Sequence, residues 1–399
     1  MISSFGLKPT PRIIFGPGKL AELENIIGRF GCRPLLVLGC RSFQTSTAYE
    51  LLRKIFAELG LPMQTVHIGS EPSPEVIDSI VADIGADPCC RNIDLVIAIG
   101  GGSTLDGGKA ISAMLMEGGK VSRFLEGVGT ECPSGSKLPF IAIPTTSGTG
   151  SEATSNAVIS SVGGQGFKSS LRHDNFTPDL ALVDPALTLS CPQKLTVACS
   201  MDCFTQLVEG YLSTNSSALT DALALDGIRA IHRSLRPVCT DGGNLSARTD
   251  LSYAALLSGI VLCNSGLGTV HGFASAIGGL FAIPHGVVCG TLMAPTNALT
   301  LKNMRSDDGV HPALAKYARL GKIFTAQQNK TDRWYQDLFI DELKRLADDL
   351  SIAQLSDYGV TLSDIKNIVE KTGNKYNPVQ LTKEDLATIL RDRIRRSMA

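Results

Sequence analysis

Apolar residues follow two rhythms along this chain, and the change between them falls near its middle. In the first half, short continuous apolar runs alternate with stretches where apolar positions recur every three or four residues. Ile13-Ile14-Phe15-Gly16 reads as a short strand closing in a Pro-Gly turn, and residues 19–28 follow with a helix-like pattern. PLLVL at 34–38 has buried-strand length and stops at Gly39-Cys40-Arg41-Ser42. Residues 46–59 are helical in period, 63–68 strand-like and 74–84 helical again. DLVIAI at 94–99 is the cleanest strand of the chain; it runs straight into GGGS and a helix over 104–116. A strand at 138–143 and the run LALVDPALTLS, closing at Asp184-Pro185, complete the series. This alternation predicts a parallel sheet with helices on both faces. Beyond it the helical period dominates, over 195–213, 218–235, 247–263, 268–281, 312–324 and 334–346. The expected organisation is therefore an α/β domain over 1–185 and an all-helical domain over 186–399.

With 399 residues and 43% hydrophobic content, the chain can fill large cores. A formal charge of −1 gives no electrostatic footprint for nucleic acid or an anionic membrane. MISSFGLKPTPR lacks the apolar centre of a signal peptide, and no run of eighteen apolar residues suggests a span. The eleven cysteines are scattered without a CxxC pair and read as reduced thiols. A soluble, cytoplasmic protein is expected.

Ligands of parallel sheets sit beyond the carboxyl ends of the strands, where Gly39 and Gly100 fall. Gly100-Gly101-Gly102-Ser103 lies between a strand and a helix, so its backbone N–H groups can approach a pyrophosphate at a helix start. The GxGxxG fingerprint is absent, and a plain tight turn is the alternative reading. Asp106 and Lys109 follow on the helix and either serve the ligand or, for Asp106, complement the helix dipole. The strand at 138–143 leads into PTTSGTGSE at 144–152, where Thr145, Thr146 and Thr149 offer hydroxyls and amides suited to phosphate or ribose oxygens.

Asp202 and Gln206 stand four apart in MDCFTQLVEGY and so share one helix face. His271 and His285 are fourteen apart, which one continuous helix would separate by about 21 Å. Gly278, Gly279 and Pro284 lie between them as helix breakers, so the chain can turn back. Carboxylate, amide oxygen and two imidazoles then make a four-ligand cage for a divalent transition metal. Cys199 and Cys203 flank Asp202 and offer thiolates, although small buried hydrophobes are their more ordinary role. Glu209, on the same helix, either supports a ligand from behind or serves as a cap or ion pair.

GGGS with Asp106 and Lys109, PTTSGTGSE, MDCFTQLVEGY, GLGTVHG at 266 and IPHG at 283 together resemble the iron-containing (group III) alcohol dehydrogenases. The resemblance runs from Phe15-Gly16-Pro17-Gly18 to Asn377-Pro378. It implies an N-terminal dinucleotide-binding domain, a helical C-terminal domain and a metal, iron or zinc, in the cleft between them. It also implies that the glycine and threonine loops hold the pyrophosphate and nicotinamide ribose, that Lys168 contacts the cofactor, and that Asp202, Gln206, His271 and His285 are the metal positions. A homodimer or larger homo-oligomer is implied as well. Three departures stand out. Gln206 replaces the family's usual histidine, which predicts weaker metal binding or a harder ion. Ser275 stands where many relatives carry a histidine thought to relay protons, and Val379 replaces an arginine after Asn377-Pro378. No acid follows PLLVL to select NAD, and a glycine there commonly accompanies NADP in the family. Arg41 and Ser42 then either receive a 2′-phosphate or are simply solvated.

The expected activity is reversible hydride transfer between NADP or NAD and a small alcohol or aldehyde, with Asp202, His271 and His285 at the metal and the proton path through water, the cofactor ribose or Ser275 itself. An oxo-acid or semialdehyde reductase of maleylacetate or hydroxybutyrate type is the second reading; the region 271–285 offers no cation to favour it. A nucleotide-binding member with weakened catalysis, suggested by Gln206 and Ser275, is the third. A dehydroquinate-synthase-like lyase shares the architecture but not the wording of the motifs.

Overall fold

Every side chain of Pro34–Leu38, Leu95–Gly100 and Phe140–Pro144 is buried, as strands must be when helices cover both sheet faces. The structure, a computed structural model, describes residues 2–39, 42–87, 90, 92–164, 166–306 and 311–394. Among these the strands are β1 (Arg12–Phe15), β2 (Pro34–Leu38), β3 (Gln64–His67), β4 (Leu95–Gly100), β5 (Phe140–Pro144), β6 (Asn156–Ser161), β7 (Phe167–Arg172) and β8 (Leu180–Val183). Six form one sheet in the order β1-β8-β5-β4-β2-β3, and every pairing in it is parallel. The helices α1 (Leu23–Ile26) and α2 (Thr47–Glu58) cover one face, α3 (Pro74–Ala86) and α4 (Gly102–Glu117) the other. Ser46 and Ser73 cap α2 and α3 through their hydroxyls, whereas α4 starts at Gly101 with no side-chain cap. Its first amides are thus left for something outside the helix.

The rest of the chain is helical: α5 (Gln193–Leu212), α6 (Ala218–Thr240), α7 (Leu245–Ser265), α8 (Thr269–Leu280), α9 (His285–Ser306), α10 (Pro312–Ile323), α11 (Asp332–Asp349), α12 (Ile365–Lys371) and α13 (Lys383–Asp392). Helix α5 is the hub. All its residues from Ser200 to Leu212 are buried, packed among α6, α7 and α9. No single helix among the described residues is long and apolar enough to cross a membrane; α7 and α8 pass jointly, but only across a 98° bend.

The structure departs from the periodicity in several places. Residues 19–28 form two 3₁₀ turns around the four-residue α1 rather than one helix. The antiparallel hairpin β6–β7 was not foreseen; NAVISS is mostly buried and FKSSLR half-buried, but both are too polar to read as core strands. Helix α8 runs through Gly278 and Gly279, so these are not breakers. They are glycine because β7 lies on them: a Cβ at Gly279 would sit 3.1 Å from the Phe167 Cα, and one at Gly278 3.2 Å from the Lys168 Cδ. The chain instead breaks over 281–284, and α9 follows despite Pro295 within it.

Candidate metal and dinucleotide site

After β2 the chain moves outward to β3, and after β4 it moves the other way to β5. The loops leaving β2 and β4 therefore diverge and leave a crevice at the carboxyl edge. Gly39 donates its N–H to the Ile99 carbonyl at 3.3 Å. A Cβ at Gly39 or Gly100 would lie 2.9 or 2.4 Å from the Thr104 Oγ1, so the first turn of α4 packs directly on the strand ends. The threonine loop closes over it: Thr145 donates its N–H to the Gly100 carbonyl at 2.9 Å, Thr146 packs 3.4 Å from where a Gly101 Cβ would be, and Thr149 touches Gly102. Gly102, Ser103 and Thr149 line a cleft of about 690 Å³.

Lys109 and Asp106 brace this loop from behind. The fully buried Lys109 Nζ donates to the Ser151 and Asn156 carbonyls at 2.9 and 2.8 Å and to the Thr154 hydroxyl at 3.0 Å. Asp106 accepts from the Ser151 hydroxyl at 2.5 Å and the Val158 N–H at 3.1 Å, although its edge reaches the cleft. Burial draws the Lys109 ammonium down to about 8, against the pull of Asp106. Burial likewise pushes the neighbouring Glu152 carboxyl up to about 7. Gly150, at φ +63°, sets the loop against α7: a Cβ there would lie 2.4 Å from the Gly259 nitrogen.

Elsewhere on the lining of the same cleft three side chains converge, with a fourth buried behind them. Asp202 Oδ1 lies 3.3 Å from His271 Nε2 and 3.5 Å from His285 Nε2, and the two ring centres are 5.4 Å apart with the planes tilted by 54°. Cys289 completes the group, its Sγ 3.7 Å from Asp202 Oδ1 and 3.8 Å from His271 Nε2. One donor atom from each of the four falls within 4.8 Å of all the others. The separation of 271 and 285 vanishes because α8 holds His271 in its first turn, while α9 begins with His285.

Glu209 proves to be both support and cap. It accepts from Nδ1 of His271 at 2.7 Å and from the Val270 N–H at 2.6 Å, supplying from α5 the cap that Gly268 cannot give α8. That bond fixes a proton on Nδ1; against the penalty of burial, Cys289, Asp202 and Glu209 raise the imidazole well above its usual value, so its Nε2–H donates to Asp202 and a bound cation would displace that proton. Burial opposes the charge on Asp202, yet His285 and His271 hold its carboxyl below the usual range. Burial also lowers His285, to about 4, so this imidazole is neutral, as a ligand must be. Its Nδ1 is buried without a hydrogen-bond partner. A carboxylate, two imidazole nitrogens and a thiol around a common point are the donor set of a divalent transition metal.

The remaining expected residues fall as follows. Gln206 adjoins the cluster, its Nε2 donating to Asp202 Oδ1 at 3.2 Å and its Oε1 accepting from the Ser258 hydroxyl at 2.7 Å. Ser275 and Lys168 both line the cleft, and Lys168 pairs with Glu71. Ser42 is exposed beyond β2, and Arg41 lies outside the described residues. Cys199 and Cys203 are not part of the cluster. Cys289 was missed, although its position four after His285 puts both on one helix face; that spacing was the available signal. Cations absent from 271–285 arrive from elsewhere, but Lys8 pairs with Asp174 at 2.9 Å and Arg172 with Glu126 at 2.8 Å.

Comparison with known proteins gives a consistent result. The family described as "Iron-containing alcohol dehydrogenase" matches residues 9–185, and its C-terminal region residues 196–394. Alcohol dehydrogenase 4 of Saccharomyces cerevisiae (strain YJM789) is 32% identical, covering 98% of this chain and 99% of its own length. The 1,3-propanediol dehydrogenase of Klebsiella pneumoniae is 32% identical over 94% of this chain and 95% of its own. Among solved structures, an alcohol dehydrogenase from Oenococcus oeni superposes with a TM-score of 0.84 at 27% identity, covering 98% of this chain and all (100%) of that one.

Proposed function

The chain belongs to the iron-containing alcohol dehydrogenase family, and from that premise we propose that its cleft transfers hydride reversibly between a nicotinamide dinucleotide and a small neutral alcohol or aldehyde. The observation that carries this is the continuity of the cleft. The glycine and threonine loops line it together with Asp202, His271 and His285. A divalent metal held there by those three residues would supply Lewis acidity that acidifies an alcohol or polarises a carbonyl.

The chain's own groups do the rest. The uncapped amides of α4 and its dipole would hold the pyrophosphate. Thr146 and Thr149 fix the ribose side, and Lys168 reaches the same space on its Gly278 ledge. These contacts orient the ring, and orientation is their contribution to rate. Asp202 keeps negative charge at the metal end, and Glu209 holds His271 in one tautomer. A bound nicotinamide would supply the hydride acceptor for alcohol oxidation, and Ser275 offers a cleft-lining hydroxyl by which the alcohol proton would leave.

The ion pairs support a neutral over an anionic substrate. Of the cleft cations Lys8, Lys168, Arg172 and Lys375, the first three each face a carboxylate, so the cleft has little net charge to offer an oxo acid. Relatives named NAD-dependent methanol dehydrogenase and NADPH-dependent butanol dehydrogenase support both the substrate class and either dinucleotide. The absence of an acid after β2 favours NADP here, with Ser42 near the 2′-phosphate; steady-state kinetics with both cofactors test it, and a strong NAD preference refutes it. We further infer a homodimer, supported by the edge strand β1 and by the exposed Ile2, Phe5 and Leu7 before it; light scattering of a monomer would refute that. Free thiols, including exposed Cys32 and Cys132, support a reducing, cytoplasmic setting. The decisive assay follows nicotinamide absorbance against an alcohol and aldehyde panel, with and without added metal. No turnover with any metal would defeat the proposal.

A further inference from the structure

Gln206 stands where a fourth metal donor is expected, but its amide is already satisfied on both sides. Its Nε2 donates to Asp202 and its Oε1 accepts from Ser258. Cys289 is in the opposite situation. It is fully buried, and a buried thiol ordinarily serves as a small hydrophobe. This one instead directs its sulfur at the Asp202 carboxylate and His271 Nε2, at 3.7 and 3.8 Å. It also shares a face of α9 with His285, so two donors ride on one rigid element. The donor atoms of Asp202, His271, His285 and Cys289 already lie within 4.8 Å of one another.

We propose that Cys289, and not Gln206, is the fourth protein donor to the metal, bound as a thiolate, and that the site accordingly prefers a thiophilic ion, zinc above manganese. The proposal rests on the metal-dependent reading above. On binding, the S–H bond of Cys289 breaks, its proton passes to solvent and a sulfur–metal bond forms; no electron changes hands. Thiolate donors suit zinc and cobalt(II), whereas amide and carboxylate oxygens suit harder ions. A thiolate in this place reverses the preference that Gln206 alone would impose.

The rival is an amide that turns over when metal enters, presenting Oε1 to the ion and Nε2 to Ser258. Cobalt(II) substitution of the chelator-stripped, full-length protein separates the two. Wild type should show a near-ultraviolet thiolate-to-cobalt charge-transfer band, and X-ray absorption of the zinc form should show one sulfur at about 2.3 Å. Cys289→Ser should abolish the band and weaken zinc, by competition with a chromophoric chelator, by about tenfold or more. Gln206→Ala should keep the band and change zinc affinity by less than about threefold. A wild-type spectrum without sulfur, a band that survives Cys289→Ser, or a greater loss for Gln206→Ala than for Cys289→Ser would overturn the proposal. The wild-type spectra need no variant to fold. Protein that binds neither cobalt nor zinc overturns the metal-dependent function as well, whereas metal bound without sulfur overturns only the role of Cys289.

Discussion

Glu209→Gln isolates the residue that joins helix capping to ligand orientation. The carboxylate is 6% exposed and takes two short bonds, 2.6 Å from the Val270 N–H and 2.7 Å from His271 Nδ1. A glutamine keeps one acceptor oxygen, so only one of those donors stays satisfied. If the oxygen remains on Val270, the amide NH₂ faces Nδ1, and His271 answers by moving its proton to Nε2. An Nε2 that carries a proton cannot ligate, and loss of such an orienting partner costs about 10–100-fold in metal affinity. If the oxygen remains on His271, a buried amide at the start of α8 loses its cap, at about 1–3 kcal/mol. The expected result is therefore a zinc affinity at least about tenfold weaker, with the chelator-treated protein losing no more than about 3 kcal/mol. Chelator competition measures the first quantity and urea unfolding in EDTA the second. Zinc affinity within about threefold of wild type, with stability unchanged, would refute the dual role of Glu209.

Gly150→Ala places a Cβ 2.4 Å from the Gly259 backbone at a residue with φ +63°; left-handed strain plus overpacking predicts a loss of about 2–5 kcal/mol by urea unfolding, and a loss under about 1 kcal/mol would contradict the close approach. Gly102→Ala drives a Cβ to within 2.5 Å of the Thr149 Cγ2; dinucleotide affinity by fluorescence titration should fall about tenfold or more while zinc affinity stays unchanged, and equal losses in both would show a general collapse instead. Burial raises the Glu152 carboxyl from 4.5 to about 7, so the folded protein holds a proton that the unfolded chain has released. Its stabilising contribution is complete below pH 4.5 and is lost as the pH rises through about 7, a change of about 3 kcal/mol. Glu152→Gln should therefore gain on wild type between pH 5 and 8 in urea midpoint, and a pH-independent difference would exclude the raised carboxyl.

Local pattern sufficed wherever a residue's role depended on its near neighbours in sequence. Continuous apolar runs such as PLLVL and DLVIAI identify strands buried on both faces, because nothing else accommodates such runs at that length between helices. The glycines at 39 and 100 mark strand ends, and the pair 202 and 206 marks one helix face, through backbone geometry alone. The hairpin carrying Lys168 escaped because its short, polar strands stand outside the main sheet, and α9 escaped because glycines and Pro295 disguise its period. What the chain alone leaves open is which atom meets which across elements. Asp202 meets two imidazoles and a thiol because α5, α8 and α9 pack together. The Gln206 amide faces Ser258 because α7 crosses α5 there, and Glu209 reaches a helix start sixty residues away. Distances of a few ångströms between segments far apart in sequence are products of core packing, and core packing has no local signature.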